Sequence, residues 1–302
     1  MHFSSDRTRA EQPAPQLVET RLGPVEVAVV GEGAPVLVVH GTPGGWDQAA
    51  AMARFMIDDS GAGVKAILPS RPGYLGTDLE HATIDAQADL HAALLDALGV
   101  ERVGVLCWSG GGPSSYRLAV RHPDRVRAVV ALDAVSKAYP RPHEDLPTRL
   151  MFTTRSGNWL LRTMAAHAPK QLIQATLDAE GSLSKAEVEQ RATEVFEDEI
   201  KRRFVLELDA SVLRHDGRQT GYDNDIDQFE AIESLELERV EAPCLIVQGS
   251  ADTDVTPDYS DFAATTIPNA ELLTLGGGTH LAFYTHPEAA SAQARALELL
   301  LR

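Results

Sequence analysis

The chain has 302 residues, of which 44% are hydrophobic and 24% charged, so it can bury a sizeable core and has an ordinary globular composition. Its formal net charge of −17 argues against nucleic acid and anionic membrane as partners, since both need a basic surface. Residues 1–16 are polar and lack the apolar stretch of a secretory signal, which predicts a flexible tail and a cytoplasmic location. Cys107 and Cys244 are expected to be reduced, buried thiols rather than a disulfide framework.

Strands and helices are predicted to alternate along the first half of the chain. Strands over 17–22 and 25–30 are expected to be joined by a Gly23-Pro24 turn. The next elements in chain order are a strand ending at His40, a helix over 48–58, a strand over 65–68, a helix over 84–98, and strands over 103–106 and 126–132. This alternation predicts a parallel sheet with helices on both faces.

A sharp turn is predicted where the strand ending at Leu106 meets a helix. The sequence there reads Cys107-Trp108-Ser109-Gly110-Gly111, which matches G-x-S-x-G except that cysteine takes the first glycine position. Such a turn exposes a serine hydroxyl at the carboxyl end of a sheet and needs small neighbours. The alternative is a Gly/Ser-rich connection with no chemistry.

Three further loops follow predicted strands and carry groups that a nucleophilic serine needs. An apolar strand over 36–39 leads into His40-Gly41-Thr42-Pro43-Gly44-Gly45, and a strand over 244–248 leads to Asp252. A strand over 271–275 is followed by a glycine loop that ends at His280. A base, an orienting acid and backbone N–H groups for an oxyanion complete a serine nucleophile.

On these motifs the chain resembles the α/β-hydrolase superfamily, in particular its capped serine esterase and proline-iminopeptidase-like branch. The matching segments, in the order of the family, are His40 to Gly45, Pro69-Ser70-Arg71-Pro72-Gly73-Tyr74, Trp108 to Gly111, Gly249 to Asp252, and Gly278-Thr279-His280. The resemblance implies that Ser109 is the nucleophile, His280 the base and Asp252 the acid. It also implies that the oxyanion hole is formed by the backbone N–H groups of Gly110 and Thr42.

Two other carboxylates are alternatives for the acid. Asp254 lies two residues beyond Asp252 in the same loop, where it could instead bond backbone N–H groups. Asp133 ends the strand after the nucleophile helix, a position that a minority of family members use for their acid. His40 is expected to brace the oxyanion loop rather than to act as a base.

The alternation of strands and helices breaks after Ala134, and residues 136–229 are predicted to be helical. A capping box at Ser184 begins one helix, whose apolar spacing continues to Ile200, and residues 158–164 are another helix candidate. We call residues 136–229 the cap, and residues 17–135 and 230–302 the core. Trp46, Trp108 and the cap side chains of Phe152, Trp159 and Met164 are candidates for lining a substrate pocket; the cap residues could equally hold its helices together.

No metal site or cofactor is predicted. Asp223, Asp225 and Asp227 alternate as in a calcium loop, but the glycine and closing glutamate are missing, so a solvated loop is expected.

The sequence predicts a serine hydrolase that cleaves an ester or related acyl bond of a small molecule. The alternatives are an amidase or aminopeptidase, with the acidic run 194–199 seating an amine, a C–C bond hydrolase or lactonase, and a hydrolase-fold ligand receptor with little turnover. The oligomeric state is left open.

Overall fold

One sheet forms the centre of the molecule. The computed structural model describes residues 14–57 and 63–302. The strands are β1 Gln16–Thr20, β2 Gly23–Val30, β3 Ala34–Val39, β4 Val64–Pro69, β5 Val103–Trp108, β6 Val126–Leu132, β7 Cys244–Gly249 and β8 Ala270–Leu275. The eight-stranded sheet has the order β1-β2-β4-β3-β5-β6-β7-β8. Strands β3 to β8 run parallel, while β2 pairs antiparallel with both β1 and β4.

Helices cover both faces of this sheet, as the alternating sequence predicts. They are α1 Trp46–Ile57, α2 Ile84–Ala97, α3 Gly112–Arg121, α4 Leu146–Thr153, α5 Arg155–His167, α6 Pro169–Ala179, α7 Lys185–Glu197, α8 Glu199–Ser211, α9 Gln219–Glu230, α10 Pro257–Thr266, α11 Ala282–Thr285 and α12 Ala289–Leu301. Val36 and Val38 of β3 pack with α1 and α12 residues on one face. Leu37 and Val39 point to the other face and pack with α2 and α3 residues. This strict alternation along β3 is expected of a strand that is buried on both faces.

The chain between β6 and β7 carries helices α4 to α9 and has no strand among the described residues, in agreement with an inserted helical cap. The predicted capping box is present: Glu187 N–H donates to the Ser184 hydroxyl and Ser184 N–H donates to the Glu187 carboxylate. The predicted continuation of this helix to Ile200 is wrong. Asp198 accepts hydrogen bonds from the N–H groups of Ile200 and Lys201, so it ends α7 and begins α8.

At the amino-terminal side, a predicted turn differs from the structure and the predicted tail lies mostly outside the described residues. The predicted Gly23-Pro24 turn is wrong, because Gly23 has a φ of +108° and is already paired within β2, opposite Thr20. The reversal is made by Arg21 and Leu22. The tail predicted for residues 1–16 falls mostly outside the described residues, and Gln16 belongs to β1. Within the described ranges, no helix combines the length and the apolar character needed to cross a membrane.

The backbone that follows Ser109 packs closely against the end of β3 at Gly111. A Cβ atom there would lie 2.6 Å from the carbonyl oxygen of Val39 and 2.7 Å from that of His40. We therefore expect Gly111→Ala to lower the free energy of unfolding by about 1–3 kcal/mol, because backbone atoms cannot rotate out of the way. Urea unfolding measures this.

Gly276→Ala is the matched control, since a Cβ atom at Gly276 meets nothing within 4 Å. Its free energy of unfolding should stay within about 0.5 kcal/mol of that of the unaltered chain. Equal stabilities of the two variants would contradict the close packing at Gly111.

Candidate active site

The loops that carry the predicted site residues meet at one edge of the sheet. His40 follows β3, Ser109 follows β5 and Asp133 follows β6. Asp252 and His280 lie in the loops after β7 and β8. Because these strands are parallel and adjacent, their carboxyl ends lie side by side, so the topology brings together residues that are far apart in sequence.

Ser109 has the strained backbone expected of a sharp strand-to-helix turn. Its φ is +51°, in the left-handed region that a residue with a side chain rarely adopts. Cys107 occupies the first glycine position of the motif within β5, where its side chain is buried in the core. Burial raises the pKa of this thiol to about 12, so Cys107 is a neutral packing residue beside the turn.

Asp252 and His280 form a buried hydrogen-bonded pair. His280 Nδ1 lies 2.8 Å from Asp252 Oδ2, and both residues are about 3% exposed. Asp252 Oδ1 accepts the backbone N–H groups of Asp254 and Val255. A carboxylate that accepts these donors fixes the proton of the imidazole on Nδ1 and leaves the lone pair of Nε2 available for a proton.

The side chain of His280 lies next to the nucleophile turn. The Trp108 indole N–H donates to the His280 carbonyl oxygen over 3.2 Å, and the two ring centroids are 5.0 Å apart. No hydrogen bond joins His280 to Ser109 in the structure; Nε2 instead faces Asp254 Oδ2 at 3.4 Å. Serine–histidine contacts of this kind are often long without substrate.

Three carboxylates determine the basicity of His280. Burial alone lowers the pKa of this imidazole, but Asp252, through its charge and its hydrogen bond, together with Asp254 and Glu180, outweighs burial and raises it well above the ordinary value. Glu180 comes from the cap and is half-buried; burial and the neighbouring Asp254 raise its pKa as well. Asp254 is the alternative acid of the sequence analysis. It faces Nε2 of the ring, whereas Asp252 binds Nδ1, so the two carboxylates lie on opposite sides of the imidazole.

The loop after β3 packs against the nucleophile turn. A Cβ atom on Gly110 would lie 2.1 Å from Thr42 Oγ1, so Gly110 and Thr42 are in direct contact. Gly110 is in the first turn of the 3₁₀ helix at Ser109–Gly111, where backbone N–H groups have no intrahelical acceptor. The structure thus brings together the two residues predicted to stabilise an oxyanion.

His40 braces this loop, as the sequence predicts. Its Nδ1 lies 2.7 Å from Gly41 O and its Nε2 accepts the Arg71 backbone N–H at 2.9 Å. These partners require a neutral ring with its proton on Nδ1. Burial and the Arg71 charge lower the pKa of His40 well below its ordinary value, in agreement with that state.

Arg71, in the loop after β4, forms a buried ion pair with Asp225 of the cap. Sequence reasoning missed this pair. Asp225 is fully buried and accepts hydrogen bonds from Arg71 at 2.6 and 2.9 Å, from the Tyr74 hydroxyl at 2.6 Å and from the Thr42 hydroxyl at 2.6 Å. The solvated loop predicted for Asp223, Asp225 and Asp227 is wrong, because these residues lie on α9. Helical spacing turns Asp225 inward while Asp227 stays exposed.

The cap also contacts the acid and base loops through its backbone. His280 N–H donates to Glu180 O at 3.0 Å, Ser182 N–H donates to Ala251 O at 2.8 Å, and Gly181 forms an isolated bridge with Asp252. The segment between α6 and α7 therefore supports both Asp252 and His280. The acidic run 194–199 lies elsewhere, at the junction of α7 and α8.

The predicted pocket residues have different surroundings. Trp108 is buried and Trp46 partly buried in the hydrophobic cluster that also contains residues of α1 and α11. Phe152 and Met164 belong to a separate cluster within the cap, with Leu161, Leu172 and Leu213. Trp159 is 67% exposed. Trp108 is therefore the predicted pocket residue that touches the Asp252–His280 pair.

Two groups of side chains near His280 have the donor types of a metal site. They are Asp133, Asp252 and His280, and Glu180, Asp254 and His280, with donor atoms within 4.8 Å of one another in each group. Both groups share His280, so a metal bound to either would remove it from proton transfer.

Loss of the Asp225 carboxylate should strongly destabilise the protein. Asp225→Asn leaves the buried Arg71 guanidinium with neutral hydrogen-bond partners but no opposite charge, and we expect the free energy of unfolding to fall by about 3–5 kcal/mol. Asp227→Asn on the same helix is the control, because its ion pair with Arg141 is exposed and worth about 0–1 kcal/mol. Chemical unfolding of both variants decides; a small loss in Asp225→Asn would mean that Arg71 finds other partners.

The position of Asp254 predicts a change in pH dependence. If His280 acts as a base, kcat/KM falls as the ring becomes protonated below its raised pKa. Asp254→Asn removes one of the carboxylates that raise this pKa, so the acidic limb of the kcat/KM profile should move to lower pH. Asp258→Asn, which alters an exposed pair with Lys137, should leave the limb in place. An unmoved limb in Asp254→Asn would show that this carboxylate does not interact with His280 in solution.

Comparison with known proteins agrees with this architecture. The family model for the alpha/beta hydrolase fold matches residues 34–287. A solved alpha/beta hydrolase fold protein from Nakamurella multipartita is 51% identical, with a TM-score of 0.93, and the match covers 95% of this chain and 99% of that chain.

Curated relatives are more distant. The uncharacterized hydrolase YcgS of Bacillus subtilis is 26% identical over 86% of this chain and 89% of its own length. The 2-hydroxy-6-oxononadienedioate/2-hydroxy-6-oxononatrienedioate hydrolase 2 of Pseudomonas putida is 28% identical over 86% of each chain. With the sheet order and the family match over residues 34–287, these findings show that the chain belongs to the alpha/beta hydrolase family.

Proposed function

We propose that this protein is a serine hydrolase that cleaves an ester or related acyl bond of a small molecule through an acyl-enzyme intermediate. The observation that carries the proposal is the arrangement at the sheet edge: a strained Ser109, a buried Asp252–His280 pair, and Thr42 packed against Gly110. The family membership and the relatives that are named hydrolases support the same class of reaction. The division into a core (17–135 and 230–302) and a cap (136–229) is part of the proposal.

The first half of the reaction forms the acyl-enzyme. Ser109 Oγ attacks the acyl carbon while its proton passes to His280 Nε2. The negative charge that develops on the carbonyl oxygen is stabilised by the N–H groups of Thr42 and Gly110. Asp252 holds Nδ1–H and stabilises the imidazolium. The bond to the leaving group then breaks, and the leaving oxygen takes the proton from Nε2.

The second half regenerates the enzyme. Water gives a proton to His280 Nε2 and attacks the acyl carbon, and the bond to Ser109 Oγ breaks as the serine regains the proton. The acid product then leaves. In both halves His280 Nε2 gives up its 3.4 Å contact with Asp254 Oδ2 and turns to the reacting group. This contact is long and therefore weak, so little is lost when it breaks.

We assign substrate choice to the surroundings of Trp108, which contacts His280, with the cap covering this edge of the sheet. Trp46 lies near this region, whereas Phe152, Met164 and Trp159 would act at a greater distance, through the cap. The name of the Pseudomonas putida relative makes 2-hydroxy-6-oxo dioates a class to test beside esters, amides and lactones. Turnover of any of these would argue against a ligand receptor.

The role of Ser109 predicts a large kinetic effect. Ser109→Ala should lower kcat by roughly 10⁴-fold or more on whichever substrate of the panel is turned over. A fluorophosphonate probe should add its mass to the peptide that contains Ser109, and the alanine variant should stay unlabelled.

Ser291→Ala is the control, because this exposed serine lies on α12, away from the sheet edge. Its activity and labelling should match those of the unaltered protein. Labelling that persists in Ser109→Ala would remove the serine from the mechanism.

A further inference from the structure

Asp133 is a buried carboxyl group that the proposed reaction does not use. It directly follows β6, is 1% exposed, and has a φ of +42°. Its Oδ1 accepts the Gly249 N–H at 2.8 Å, whereas its Oδ2 is buried without a hydrogen-bond partner in the described part of the chain. A buried oxygen of this kind needs a partner or a proton.

The Asp252–His280 pair lies beside the carboxyl group of Asp133. One donor atom from each of Asp133, Asp252 and His280 lies within 4.8 Å of the other two. Two carboxyl groups thus share one imidazole in a place without solvent. Like charges so close together oppose the ionisation of both groups, so one of the two keeps its proton.

The hydrogen bonds decide which group keeps it. Asp252 accepts two backbone N–H groups, the Gln248 amide and the His280 ring, all of which favour a carboxylate. Asp133 accepts a single N–H group. Its burial and the charge of Asp252 raise the pKa of Asp133 well above the ordinary value. His280 lowers the pKa of Asp133 but does not outweigh these effects, and Asp133 together with burial raises the pKa of Tyr284 well above its ordinary value.

We propose that Asp133 is a second positioning carboxyl group of the active site, which donates its proton to Asp252 at rest and takes over the negative charge when Asp252 is neutralised. This inference rests on the proposed function. It gives the orphaned Oδ2 a role, because this oxygen carries the proton and Asp252 accepts it. The pair then holds one negative charge for the imidazolium, and Asp252 remains the residue that contacts His280.

The proposal changes what Asp252→Asn should do. An amide at position 252 has one oxygen for the His280 ring and for the backbone N–H groups of Asp254 and Val255, so it cannot satisfy both sides. An ionised Asp133 beside it still supplies one negative charge for the imidazolium, so the loss in kcat should be smaller than the roughly 10⁴-fold of an isolated Asp→Asn change at a serine triad.

The test compares kcat in Asp133→Asn, Asp252→Asn and the double variant. We expect Asp133→Asn to stay within about threefold of the unaltered protein, because its amide still donates to Asp252. Asp252→Asn should lose about 10²-fold and the double variant about 10⁴-fold, since no carboxylate then remains to fix the ring. Asp258→Asn combined with Asp252→Asn is the control and should match Asp252→Asn alone. A double variant no slower than Asp252→Asn would overturn the proposal.

An infrared measurement tests the proton without turnover. The infrared difference spectrum between Ser109→Ala and the same variant carrying Asp133→Asn should contain the carbonyl stretching band of a buried protonated carboxyl group at neutral pH, because the bands of other protonated carboxyl groups such as Glu180 cancel. Absence of the band overturns the inference even where Ser109 proves catalytic. If the band is present but the unaltered protein turns over no substrate of the panel, the proposed function fails while the proton assignment stands. Should Asp133→Asn not fold, Asp133→Ser provides a donor without a carboxyl group and serves in both measurements.

Discussion

The parallel pairing of β3 with β5 and of β5 through β8 is the constraint on which the site depends. The register places Val39 opposite Cys107, Trp108 opposite Leu132, and Gly249 opposite Leu275. Each strand therefore ends within one or two residues of its neighbour at the same edge. A one-residue shift of β5 would reverse its two buried faces and move Ser109 away from the other loops. The hydrophobic alternation that fixes the core thereby also fixes the geometry of the site.

The cap is more than a cover for this edge. Asp225 binds the Arg71 and Thr42 side chains on the oxyanion side, and the Glu180 carbonyl group holds the backbone of His280 on the other side. Rigid supports of this kind are what preorganised electrostatic stabilisation requires. The cap thus helps to align groups that all come from the core.

The sequence predicted the fold because its signals are local and mutually consistent. Apolar strand runs, the Ser109 turn and the glycine loops each have a short-range cause, and the alternation of strands with helices predicts a parallel sheet. Predicted element ends, such as the helix end near Ile200, were wrong where a single side chain, Asp198, caps a helix. The sequence also gave no way to place Asp225, because its partners are 154 and 183 residues away. The catalytic roles of Ser109, Asp252 and His280 remain predictions, although the structure places the last two in contact.

The state of His40 has a consequence for how the protein responds to acid. Its Nε2 must remain unprotonated to accept the Arg71 N–H, and burial with the Arg71 charge keeps it so to well below the ordinary pKa of histidine. His280 is shifted in the opposite direction. The two histidines therefore become protonated in different ranges of pH. As the pH falls, His280 is therefore protonated above the ordinary range of histidine, while His40 stays neutral and the loop that it braces keeps its shape. We expect a change in activity across that range to be a reversible titration and not an unfolding of the site.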